Sequence, residues 1–137
     1  MPKRLFYVDT CIYLNLWKKE EPFWRSAEKF FNKQQDGCIY YSSFVLKELK
    51  HKISYKDFVK KQSVILHNPM FKRVFSDNLL FGLARRIENE IDFEISFFDI
   101  LHMLLAKKVN AILVTRDIKL LKIAREYNIT AKKPEEL

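Results

Sequence analysis

The chain has 137 residues, and 25 Lys and Arg against 17 Asp and Glu leave a formal charge of +8. Apolar residues make up 48% and aromatics 15%, which suits one domain with a buried core and excludes a disordered basic tail. Two glycines cannot form a glycine-rich phosphate loop, two cysteines cannot build a four-ligand zinc site, and no apolar run reaches the roughly 18 residues of a membrane span.

Leu5 to Val8 predicts a buried strand, with Asp9 or Thr10 capping a helix that continues through Trp17. Trp24, Ala27, Phe30 and Phe31 fall at helical spacing between Pro22 and Lys33, and Gly37 suits a left-handed turn after them. Cys38 to Tyr41 repeats the strand, and Ser42 or Ser43 opens a helix carrying Lys47, Glu48 and Lys50. Residues 55–66 form a weakly amphipathic helix that His67-Asn68-Pro69 breaks, while Phe71 to Phe75 fits either a strand or a loop. Helices follow over Asn78 to Ile91 and Ser96 to Lys108, and Ala111 to Val114 is the clearest buried strand. Thr115-Arg116-Asp117 caps that strand, a helix runs from Ile118 towards Tyr127-Asn128, and Ile129-Thr130 makes a short last strand. Alternating helices and continuously apolar strands predict an α/β protein with a parallel sheet covered on both faces.

Ligands of such sheets bind beyond the carboxyl ends of the strands. Asp9 and Asp117 follow strands directly, and Glu48 and Asp99 sit in helices that open at the same edge. Taken singly, Asp9 and Asp117 are ordinary helix caps and Glu48 an ordinary solvated residue. Asp99 differs, because Ser-Phe-Phe-Asp-Ile-Leu-His puts a charge inside a strongly apolar segment. Four converging carboxylates repel one another unless a cation neutralises them, and all-oxygen ligands suit Mg2+ or Mn2+. The chemistry this predicts is phosphodiester hydrolysis by a metal-activated water.

The ordered set Tyr7-Val8-Asp9-Thr10, Leu46-Lys47-Glu48-Leu49, Phe98-Asp99-Ile100-Leu101-His102 and Leu113-Val114-Thr115-Arg116-Asp117 resembles the PIN domain over nearly the whole chain. The resemblance implies one PIN-like domain over 1–137, a three-layer α/β/α sandwich around a central, mainly parallel sheet of four to five strands. It implies a Mg2+- or Mn2+-dependent ribonuclease, nearest to the toxin half of prokaryotic toxin-antitoxin pairs. Carried over by position, Asp9, Glu48, Asp99 and Asp117 are the acidic metal-binding cluster, and the Thr115 hydroxyl supports it. The same likeness implies an RNA substrate, an antitoxin partner and a homodimer. Where many members carry Asn or Ser two residues after the first acid, this chain has Cys11.

Arg116 is a candidate contact for the scissile phosphate, and Lys47 and Lys50 for the RNA backbone beside Glu48. His102, three residues after Asp99, is read as a packed or hydrogen-bonded histidine before a proton-transfer group. Phe30, Phe31, Phe97 and Phe98 are assigned to the core. Five acids and no Lys or Arg between Ile87 and Ala106 suggest an acidic pocket in a basic surround. The expected setting is cytoplasmic, without a membrane. Two alternatives stand beside the nuclease toxin: a catalytically silent RNA-binding module of the same architecture, and a nuclease of RNA processing. A dehalogenase-like phosphatase or a receiver domain fits less well, since the former needs a second Asp where Cys11 stands and the latter an acidic pair that Leu5 to Val8 lacks.

Overall fold

In the computed structural model, which describes residues 4–34 and 36–137, each of the first four strands is followed by one or two helices. In chain order they are β1 (Leu5–Val8), α1 (Thr10–Trp17), α2 (Trp24–Lys33), β2 (Cys38–Tyr41), α3 (Ser43–Lys52), α4 (Tyr55–His67), β3 (Phe71–Arg73), α5 (Asn78–Glu90), α6 (Phe97–Lys108), β4 (Ile112–Val114), α7 (Ile118–Glu126) and β5 (Ala131–Lys132). The strands form one parallel sheet in the order β3-β2-β1-β4-β5. Central β1 pairs Phe6 with Ile39 on one side and Val8 with Val114 on the other. Phe6, Tyr7 and Val8 have no exposed surface, because helices cover both faces of the sheet. The fold is therefore the three-layer α/β/α arrangement with five parallel strands.

Helix α6 is buried at every position from Ile100 to Ala106 and packs on β1 and β4 between α5 and α7. A helix apolar on all sides belongs in the interior, so Asp99 enters at the mouth of the most enclosed helix. Phe71–Arg73, open between strand and loop from its sequence, is the parallel edge strand beside β2.

Three expectations are corrected. Gly37 is not left-handed; its N–H closes a turn on the Gln34 carbonyl at 2.9 Å, and no described glycine has positive φ. Positive φ falls instead to Lys19, Asp92, Phe93, Asn110 and Asn128, the two asparagines lying just beyond α6 and α7, where that residue type tolerates it. Helix α2 begins at Trp24 and not at Pro22, since Phe23 and Trp24 N–H groups both close on the Glu20 carbonyl. The last strand is Ala131–Lys132 and not Ile129-Thr130, because the amides of Leu113 in β4 and of Thr115 just after it reach the carbonyls of Thr130 and Lys132. Among the described residues, no helix is long and apolar enough to cross a membrane.

Candidate active site

Chain direction across the sheet reverses between β1 and β4: strands added after β1 run to one side as β2 and β3, and the later ones to the other as β4 and β5. Loops leave such a pair in opposite directions and open a crevice at its carboxyl end. Asp9 ends β1 there, and its N–H donates to the Val114 carbonyl at the end of β4. Thr115 and Asp117 follow β4 directly. Glu48 enters from α3 beyond β2, and Asp99 from the first turn of α6.

Each acid is held differently. Asp9 is buried; its Oδ1 accepts from the Thr10 N–H at 2.8 Å, and its Oδ2 accepts from the Thr115 hydroxyl at 2.8 Å and the Cys11 thiol at 3.3 Å. Burial pushes the Cys11 thiol up, with the Asp9 charge adding to it, so the thiol keeps its proton and serves as the donor. Cys11 thus makes a hydrogen bond to the first acid, as an Asn or Ser there can. Asp117 is exposed and caps α7, its Oδ1 accepting from the Lys119 and Leu120 N–H groups at 3.0 and 3.1 Å. The Asp117 N–H donates back to Thr115 Oγ1 at 3.1 Å, so one hydroxyl links both acids. Asp99 is half-buried in the first turn of α6, downstream of the Ser96 cap. Burial and then the Asp9 charge, joined by Asp117 and opposed by His102, push the Asp99 carboxyl up to about 6.

Glu48 has another partner. Its Oε1 accepts from Nε2 of the fully buried His102 at 2.5 Å, and His102 Nδ1 lies 2.7 Å from the Tyr7 hydroxyl, itself 2.7 Å from Ser42 Oγ. Burial acts to lower the His102 pKa, but the Glu48 hydrogen bond and the charges of Asp9, Glu48 and Asp99 outweigh it and raise it. The four acids therefore form two linked parts: Asp9, Asp99 and Asp117 share one field, and Glu48 joins through His102.

The amino ends of α1, α6 and α7 all face this edge, and their partial positive charge partly offsets the acids. The donor set of carboxylates and a threonine hydroxyl is hard oxygen, which fits Mg2+ or Mn2+ better than zinc. A cation there would relieve the repulsion that adds to burial in raising Asp99. Among the described residues, however, no group of three or more His, Cys, Asp or Glu side chains is close enough together to hold an ion as it stands. Three of the four carboxylates have a donor of their own: Thr115 for Asp9, His102 for Glu48, backbone N–H groups for Asp117.

A PIN-domain family model matches residues 6–126. The chain belongs to the PIN-domain family. Among solved structures, this PIN domain resembles the VapBC2 complex of Rickettsia felis bound to promoter DNA, at 23% identity and TM-score 0.66 over 94% of this chain and 98% of that one. It also resembles VapBC-1 of nontypeable Haemophilus influenzae, at 17% and 0.68 over 95% and 98%. A third is the DNA-bound VapBC of Salmonella typhimurium, at 19% and 0.67 over 98% and 99%. These likenesses show the fold, and family membership supports nuclease activity in general. No curated protein matches the sequence.

Within the PIN domain, Arg116, the candidate phosphate contact, is engaged internally in this structure. Its guanidinium donates to Asn15 Oδ1 at 3.1 Å, to Glu135 at 2.7 Å and to Ser26 Oγ, lies over the Phe23 ring, and leaves a side chain 13% exposed. It ties α1, the region of α2 and the C-terminal turn behind the β4 loop. Arg116→Ala is expected to cost about 2 kcal/mol through lost charge-assisted hydrogen bonds, measured as a lower urea midpoint with unchanged slope. Lys47 and Lys50 are exposed on α3, and the Lys47 amine lies 5.7 Å from the centre of the Phe98 ring, next to Asp99. Phe30 is core and Phe31 and Phe97 are partly buried, but Phe98 is exposed at the site's rim. Of the five acids between Ile87 and Ala106, only Asp99 enters the site. Glu88 pairs with Arg85, Glu90 with the Tyr127 hydroxyl and Glu94 with Lys122. Sequence reasoning did not anticipate Tyr7 and Ser42; the one available signal was His102 at helical spacing from Asp99.

Proposed function

We propose that this PIN domain is a Mg2+- or Mn2+-dependent endoribonuclease, acting in the cytoplasm as the toxin of a toxin-antitoxin pair. The observation that carries the reading is the placement of Asp9, Asp99 and Asp117 at the switch point of a parallel sheet in a basic protein, where burial and then the Asp9 and Asp117 charges raise the Asp99 carboxyl. Asp9, Asp99, Asp117 and Glu48 would hold the metal, which when bound supplies an activated water and neutralises charge on the phosphate. Asp9 is kept in one orientation by Thr115, Thr10 and Cys11. Thr115 sets the distance between the β1 and β4 acids. Lys47 and Lys50 draw the RNA backbone to the Glu48 side of the crevice, where their charges face water.

All three structural likenesses are VapBC proteins, two of them bound to DNA, which supports reading this chain as the toxin half of a pair with an antitoxin protein as its partner. The antitoxin would occupy or distort the acidic crevice. A homodimer is the family expectation, and the apolar surface that Leu79, Phe81 and Leu83 expose on α5 supports a protein partner there.

One observation favours the second reading, a catalytically silent RNA-binding module: the absence, among the described residues, of three side chains close enough to hold an ion. Cleavage separates the two. The purified chain with Mn2+ or Mg2+ is expected to cut RNA, EDTA to abolish the cutting and either metal to restore it. Asp117→Asn keeps a good helix cap and is expected to remain folded without cleaving. Salt-sensitive RNA binding with no divalent-ion binding by calorimetry would establish the module instead.

A further inference from the structure

Beneath Glu48 lies a line of polar groups from three elements. Ser42 Oγ, the Tyr7 hydroxyl, the His102 ring and Glu48 Oε1 follow one another at 2.7, 2.7 and 2.5 Å. Tyr7 and His102 have no exposed surface and Ser42 is 1% exposed. Ser42 Oγ also accepts from the Val45 N–H at 3.4 Å, which fastens the far end of the line to the start of α3. The line therefore leaves α3 at its cap, crosses β1 and α6, and returns to α3 at Glu48.

Packing alone does not call for such a line. Burying hydroxyls and an imidazole is unfavourable unless every group is paired, and apolar side chains could fill the same space. What the line acts on is Glu48, a side chain 30% exposed that would otherwise sample several rotamers. The proton inventory gives one consistent direction at that end. An ionised Glu48 only accepts, so His102 Nε2 carries a hydrogen and donates it. With a neutral ring, Nδ1 accepts from Tyr7, which accepts from Ser42. With a charged ring, Nδ1 donates to Tyr7, which donates to Ser42. Glu48 receives the same hydrogen bond in both cases, so its orientation does not depend on the charge of the ring.

We propose that His102, backed by Tyr7 and Ser42, is a positioning residue that holds the Glu48 carboxylate in one orientation at the border of the acid cluster. The inference rests on the metal-dependent reading above and assigns His102 no contact with RNA or metal. Groups that orient a ligand from behind typically change metal affinity by about 10- to 100-fold when removed.

The test is Mn2+ binding to the purified full chain by calorimetry, with thermal unfolding alongside. His102→Leu is expected to unfold cooperatively and to bind Mn2+ about 10-fold more weakly. Glu48→Gln is expected to lose a comparable factor, and the double variant no more than either single one, because both break the same link. His102→Gln, whose amide can donate from near the Nε2 position, is expected to recover most of the affinity. Tyr7→Phe deletes one hydroxyl from the line and serves if His102→Leu does not fold; its affinity is expected to fall in the same direction. Wild-type affinity in a folded His102→Leu or Tyr7→Phe, or losses that add in the double variant, overturns the positioning role while the metal reading stands. A wild-type chain that binds no Mn2+ overturns the metal reading and the positioning role with it.

Discussion

Asp99→Asn is expected to raise the stability of the protein at neutral pH while abolishing RNA cleavage. The folded protein holds this carboxyl at about 6 against an ordinary 3.8, so the folded state binds the proton more tightly than the unfolded one. Below about pH 4 both states are protonated and Asp99 causes no loss. As pH rises through about 6 the folded state must ionise Asp99 beside Asp9 and Asp117, and stability falls. A difference of that size is worth at most about 3 kcal/mol. Partial exposure and the small loss of a favourable charge in the first turn of α6 reduce the gain to about 1–2 kcal/mol. Thermal unfolding at pH 5 and pH 8 checks this: the variant's midpoint should exceed wild type at pH 8, and the difference should shrink at pH 5. A variant less stable than wild type at pH 8 would show that Asp99 is not under the repulsion argued here. His102 contributes with the same sign, since its raised pKa gives stability that is full below about 6.5 and lost as pH rises through the folded value. Part of the pH dependence left in Asp99→Asn should lie there.

Asp9→Ala is expected to do the opposite to stability while also abolishing cleavage. The alanine removes the α1 cap and leaves the Thr115 hydroxyl and Cys11 thiol without their acceptor. A lost cap costs about 1 kcal/mol and an unsatisfied buried hydroxyl about 1–3 kcal/mol, for a total near 3 kcal/mol. Urea unfolding should show it as a lower midpoint, and cleavage assays as loss of activity beyond the unfolded fraction. The Asp99 carboxyl should titrate lower in this variant, because the second-largest cause of its elevation is gone. Two acids of one cluster thus answer neutralisation with opposite signs, because one is surrounded by donors and the other by like charge and burial.

Most of the fold was readable from local pattern. Continuous apolar runs marked β1, β2 and β4, and Asp9, Ser42, Ser96 and Asp117 stand where helix caps are expected. The errors fell where backbone geometry and not composition decides, as at Gly37 and the last strand. The four acids could be placed at one edge because strand ends and helix starts of a parallel sheet gather there. Their partners could not. Nothing local shows that Asn15, Ser26 and Glu135, all distant from Arg116 in sequence, take up its guanidinium.

By itself the sequence determined the alternation of strands and helices, the excess of positive charge and which acids end up at the sheet edge, since periodicity and composition are local properties. Tertiary structure alone decided which acid is repelled, which is satisfied and which is held from behind. Those outcomes depend on distances between β1, α3, α6 and β4, and hydrogen bonds and burial act over a few ångströms in space, whatever the separation along the chain.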